Sequence, residues 1–286
     1  MTAPELATVR RLIFDAVAVS VLRKVVAAAA EASACVAPIK GVVLSRWLYG
    51  EVAERPYRDV DILIARADLV QMRAAVVAND WPIKVYSVEM GELEFTVDRL
   101  TVEMHGELGR RDLSRMTASD VLSRAVFDDT SFPFRVNRID DIDHLFLLVA
   151  NVIKKSFTYA NAHQPADLNR LLGRLRPRWG ELIARAQAAR FVTAVRAVSE
   201  WMADERQSVV FAEFAGILPQ SRRVLPAVVR WYRHRDRRRP DRLKSATGLL
   251  GLALATQTPD DFRLRARGLS RLIRRGLVRR VGGNPG

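Results

Sequence analysis

Two carboxylates one residue apart, Asp59 and Asp61, sit in the stretch RPYRDVDILIA (residues 55–65), ahead of an apolar run that reads as a buried strand. Ionised acids are costly in such surroundings unless their charge is balanced. Strand geometry sends residues i and i+2 to one face, so the two acids are expected to emerge together while Val60 and Ile62 face the other way. Close carboxylates repel, and one pKa rises unless a cation is near. Mg²⁺ suits such a pair, because it takes few protein oxygens and completes its shell with water and substrate phosphates. Glu103 lies on another strand candidate, LTVEMHGEL (residues 100–108). If the two strands are neighbours, three acids meet at one edge, where they can hold two metal ions against the attacking and leaving oxygens of phosphoryl or nucleotidyl transfer. His105, two residues beyond Glu103, shares its face on a regular strand.

The elements that must position these residues are legible from period and punctuation. Residues 5–34 read as a helix, with Leu6, Val9, Ile13, Val17 and Val21 at helical spacing, broken by Pro38. GVVLSRWLYG (residues 41–50) reads as a short helix between two glycines, with Trp47 and Leu48 inward. Residues 59–65 read as a strand and 67–79 as a helix. Three short strands follow, over 83–90, 93–97 and 100–108, the last two joined by a tight turn at Asp98-Arg99. From Met116 the pattern is helical, with segments over 140–160, 165–175, 179–204, 208–216, 222–234 and 263–281. The fold class expected is α+β: a small mixed β-sheet core with flanking helices, then a helical C-terminal domain. The division expected is residues 1–137 and residues 138–286.

Charge separates these halves further. The chain of 286 residues carries a formal net charge of +14, yet residues 1–140 hold 18 Lys and Arg against 20 Asp and Glu, while residues 141–286 hold 28 against 12. A second half this basic should attract phosphates, RNA or an anionic surface. WYRHRDRRRPDR (231–242) mixes aromatics with cations in a way that suits single-stranded RNA. Residues 263–280 place Leu269, Ile273 and Leu277 on one stripe among arginines, a basic amphipathic pattern open to RNA, membrane or a partner groove. The single cysteine, Cys35, allows no internal disulfide, and His144 and His163 show no zinc-ligand spacing. No apolar run is long enough for a transmembrane segment and no secretory pattern opens the sequence, so a cytoplasmic location is expected.

IKGVVLSRWLYG, RPYRDVDILIA and LTVEMHGEL together resemble the sparse pattern of the polymerase-β-type nucleotidyltransferase superfamily. Within it they are most similar to a poorly characterised bacterial group with Lys-Gly, a helix ending in Tyr, an Arg shortly before Asp-x-Asp, and an acid followed two residues on by His. Lys40, Gly41, Tyr49, Arg55, Asp59, Asp61, Glu103 and His105 fall on those positions. The resemblance is close over about residues 36–110 and loose to about 172. It implies transfer of a nucleoside monophosphate from an NTP to an acceptor, with Asp59, Asp61 and Glu103 binding two Mg²⁺ ions and Glu103 helping to deprotonate the acceptor. Gly41 would let backbone N–H groups approach the triphosphate. Lys40 and Arg55 would neutralise phosphate, and His105 would share the site. Lys154, Lys155 and Asp167 would lie on helices near the catalytic sheet. Three positions depart from the pattern: Val42 after Gly41, Arg58 before Asp59, and Gly106 where an aromatic residue is usual. The acceptor stays open between RNA, toward which the basic half points, a small molecule and a protein. The competing expectation is a catalytically inactive relative that binds RNA or an anionic surface.

Overall fold

Alternating apolar and polar residues in ELEFTV and LTVEMH build the middle of the sheet. In the computed structural model, which describes residues 2–50, 54–108, 114–154 and 163–219, they form strands β4 (Glu92–Val97) and β5 (Leu100–His105), paired antiparallel. Leu93, Phe95, Val97, Val102 and Met104 are buried on one face, while Glu94, Thr96, Thr101 and Glu103 occupy the more open one. Asp98 and Arg99 both take positive φ, 47° and 68°, the two-residue turn whose twist matches that of its strands. Lys24 of helix α1 (Ala3–Glu31) closes on Asp98 at 2.7 Å.

Three further strands, β1 (Val36–Pro38), β2 (Val60–Ile64) and β3 (Ile83–Ser87), complete a five-stranded sheet in the order β1-β2-β5-β4-β3. Only the β2–β5 pair is parallel, so the sheet is mixed. Every residue of β2 is buried, as its Val, Ile and Leu content requires. Val21, Leu22 and Val25 of α1 and Leu69, Met72 and Val76 of α3 (Leu69–Ala78) share a core with Ile62, Ile64 and Phe95 of the sheet. Of the stripe expected on α1, Val21 is buried, while Leu6, Val9, Ile13 and Val17 are exposed.

Some expectations need correction. Strand β1 lies where the sequence reading assigns no element; it is three residues long and ends in a proline, which an edge strand tolerates. Helix α2 (Gly41–Val43) runs into a π-helical stretch, Leu44–Leu48, in which Trp47 and Leu48 are only half-buried. After α4 (Ala118–Leu122), the expected helical pattern is interrupted by a two-stranded antiparallel sheet, β6 (Val126–Asp128) and β7 (Val136–Arg138).

The chain groups into two compact units, Met1–Leu108 with Met116–His144, and Gly109–Arg115 with Leu145–Gly286. The described part of the second is helical: α5 (Asp141–Lys154), which begins in the first unit, then α6 (Gln164–Arg174), α7 (Trp179–Ala188), α8 (Val192–Glu205) and α9 (Val209–Ile217). Phe146 meets Phe191 edge-on, Trp179 lies against Phe214, and Trp201 is fully buried. The single helix expected over 179–204 is two, because Arg190 turns to φ 53° and Phe191 N–H closes back onto the Ala186 carbonyl. The helices expected over 222–234 and 263–281, and both arginine-rich segments, lie outside the described residues. Among the described residues no helix is long and apolar enough to cross a membrane. The architecture is α+β, a mixed five-stranded sheet with flanking helices followed by a helical region.

Candidate active site

Parallel pairing of β2 with β5 brings the acids together. Asp61 stands in register with Glu103, and Leu63 with His105, on adjacent strands. Ligand atoms of Asp61, Glu103 and His105 all lie within 4.8 Å of one another. The antiparallel β1–β2 ladder continues one step beyond Pro38 through Ile39 N–H to the Asp61 carbonyl at 2.9 Å. That bond puts the next residue, Lys40, beside Asp61. Lys40 Nζ reaches Asp61 Oδ1 at 2.5 Å, and His105 Nε2 lies 2.8 Å from the same oxygen. The ring nitrogen is also 3.7 Å from Glu103 Oε2.

Asp59 does not follow the strand geometry expected of it. Regular pairing starts at Val60, and Asp59 occupies the bend just ahead, so alternation does not fix its direction. It is half-buried and stands outside the group formed by Asp61, Glu103 and His105. Its charge is nonetheless felt there. Burial first, then the Asp61 carboxylate, raises the Asp59 pKa, and burial followed by Asp61 does the same for Glu103. Asp61 goes the other way: burial opposes its charge, but the Lys40 ammonium and His105 hold it down to about 2. The site therefore has one fully committed carboxylate and two that resist ionising. An oxygen-rich donor set with more negative charge than its neighbours balance fits a hard divalent cation such as Mg²⁺, with Asp61, Glu103 and the flanking Asp59 to hold it.

Behind the acids, a second layer fixes the Lys40–Gly41 turn. Lys40 adopts φ 55°, ψ −118°, unfavourable for a residue with a side chain. Its backbone N–H donates to Nε2 of His144 at 3.3 Å. His144 is fully buried in the first turn of α5 and stacks on Trp47. Gly41 is required sterically: a Cβ there would stand 2.9 Å from the Tyr57 Cβ. Arg55 is buried and donates to the Gly41 carbonyl at 3.2 Å. Tyr57 donates its hydroxyl to buried Asp15 at 2.7 Å, and Arg46 pairs with the other Asp15 oxygen. Helix α1 thereby anchors both the turn and the approach to β2.

Four of the residues singled out in the sequence, Lys40, Asp61, Glu103 and His105, converge directly; Asp59 flanks them. Gly41 completes the turn at Lys40, and Arg55 braces it through the Gly41 carbonyl. Arg58 is exposed, and nothing in the structure explains it. Gly106 has a packing reason, since a side chain there would meet the Gly91 backbone at 3.2 Å. Asp167 is buried within α6, and Lys155 lies outside the described residues. His144 is the residue that sequence reasoning passed over. Its only signal was a histidine set between acids and a long apolar run, and its partner is 104 positions away.

A family model described as "Uncharacterised nucleotidyltransferase" matches residues 13–204. No curated protein matches the chain. Among solved structures, the solution structure of the antibiotic-resistance factor ANT(2'')-Ia superposes with a TM-score of 0.44 at 13% identity, covering 68% of this chain and 97% of that one.

Proposed function

The chain belongs to the uncharacterised nucleotidyltransferase family, and on that premise we propose that it transfers a nucleoside monophosphate from an NTP to a hydroxyl-bearing acceptor in a Mg²⁺-dependent reaction. The observation that carries this reading is the register of Asp61 with Glu103 on adjacent parallel strands, with His105 completing the group. One bond forms, from the acceptor oxygen to the α-phosphorus, and one breaks, from the α-phosphorus to the departing pyrophosphate. Two Mg²⁺ ions held by Asp59, Asp61 and Glu103 would supply neutralising charge to the phosphates and the leaving group.

The chain's own side chains divide the remaining work. Asp61, held down to about 2, stays ionised at any working pH. Glu103, 38% exposed and raised in pKa by burial and by Asp61, is the carboxylate suited to take the acceptor's proton. His105 donates Nε2–H to Asp61 and fixes which carboxylate oxygen is engaged. Lys40 brings a mobile positive charge to the phosphates, and Arg55 braces the Gly41 turn whose N–H groups would approach them.

The test is purified protein with α-labelled NTPs, Mg²⁺ and separate acceptor pools of total RNA and small hydroxyl compounds. Label is expected in one pool and is expected to vanish in Asp61→Asn and Glu103→Gln. Transfer that persists in the double variant would sink the mechanism. RNA binding with a steep salt dependence, combined with no thermal shift from Mg²⁺ and NTP, would favour an inactive binding module instead.

A further inference from the structure

His144 is a buried polar side chain that the proposed chemistry does not use. Its Nε2 accepts the Lys40 backbone N–H at 3.3 Å, so the neutral ring carries its proton on Nδ1, a buried atom with no hydrogen-bond partner among the described residues. Leaving a buried donor unsatisfied is costly, so a histidine here needs a reason that a phenylalanine of similar shape would not meet. The ring is clamped in place: it stacks on Trp47 with centroids 5.9 Å apart and planes 16° from parallel, and the Arg138 guanidinium lies 4.2 Å from the same indole ring. Burial above all, with the Arg138, Arg55 and Lys40 charges, keeps the imidazole neutral and able to accept.

What it accepts from is the peptide that most needs holding. Lys40 stands at φ 55°, a conformation that persists only where the surroundings impose it. From that backbone the ammonium reaches Asp61 at 2.5 Å. A relaxation of the Lys40 peptide toward negative φ would redirect its side chain and the entry into α2 at Gly41. We infer that His144 is a positioning residue: through its Nε2 it pins the Lys40 peptide at positive φ and so aims the Lys40 ammonium at the carboxylate edge. The consequence for catalysis rests on the nucleotidyltransferase reading, in which Lys40 meets the phosphates; the pinning itself does not.

Two measurements need no enzymatic turnover. In the unaltered protein the Lys40 amide is expected to resist hydrogen exchange; exchange at the rate of a free amide would overturn the proposal without any variant. Acylation of the Lys40 amine by an activated ester, followed by peptide mass spectrometry, is expected to rise several-fold in His144→Phe, which keeps the stacking and removes the acceptor. His144→Gln, which restores an acceptor, is expected to return it toward the original rate. Unchanged labelling in a folded His144→Phe protein would overturn the proposal. With NTP, His144→Phe should raise KM more than it lowers kcat, and should add no further loss in a Lys40→Ala background; fully additive losses would show that His144 does not act through Lys40. If labelling and exchange behave as stated while no NTP yields transfer, the nucleotidyltransferase reading fails and the positioning role stands.

Discussion

Lys40 Nζ lies 2.5 Å from Asp61 Oδ1, so a protein cation occupies one oxygen of the carboxylate at the centre of the site. A divalent ion drawn to that oxygen would compete with the ammonium and with the His105 N–H already there. Lys40→Met is therefore expected to bind Mn²⁺ more tightly than the original protein in the absence of nucleotide. A partly screened pair of about 1 kcal/mol corresponds to a gain of roughly 3- to 10-fold. Titration followed by electron paramagnetic resonance reads this directly, and weaker Mn²⁺ binding in the variant would contradict direct competition. The same change should raise KM for the NTP.

Acid should destabilise the fold through His144. In the native state burial, then the charges of Arg138, Arg55 and Lys40, push it down to about 3, against 6.5 for an ordinary histidine. Below the unfolded value the unfolded chain takes up a proton that the native state refuses. Stability is thus fully present above about pH 6.5 and falls as pH drops toward 3, with a slope approaching about 1.4 kcal/mol per pH unit. Asp61, held down to about 2, contributes its own loss only lower, below the ordinary carboxylate range. Urea denaturation at pH 7.5 and pH 5.0 checks the assignment. His144→Gln should shrink the difference between the two, and an unchanged difference would point to other groups.

The Gly41–Tyr57 contact makes a stability prediction independent of catalysis. Gly41→Ala forces a Cβ to within 2.9 Å of the Tyr57 Cβ unless the backbone shifts. Overpacking of this kind costs about 1–3 kcal/mol. Tyr57→Phe keeps the contact but removes the hydroxyl donor from buried Asp15, with an expected loss of about 1–3 kcal/mol. Urea midpoints measure both; a neutral Tyr57→Phe would mean that Arg46 alone satisfies Asp15.

What could be read from the residues alone was what local pattern controls. Strand β2 announces itself by composition, and β4 and β5 by alternation around Asp98-Arg99, although aspartate and arginine are not the usual glycine-containing pair for that turn. The convergence of Asp61 with Glu103 follows once β2 and β5 are taken as neighbours, an inference that sequence could pose but not decide. Alternation does not fix the direction of Asp59, because regular pairing starts one residue later, at Val60. Strand β1 was invisible because three residues ending in Pro38 have too little period to register. The role of His144 was out of reach for a different reason: it exists only as a contact with a peptide far away in the chain, and no local propensity encodes that.

The positive φ of Lys40 sets two contributions to stability against each other. Glycine would sit there without penalty, while lysine holds a conformation that costs about 1–3 kcal/mol. Lys40→Gly relieves that strain but leaves the buried Asp61 carboxylate without its ammonium partner, so the backbone and the ion pair answer to opposite changes at one position.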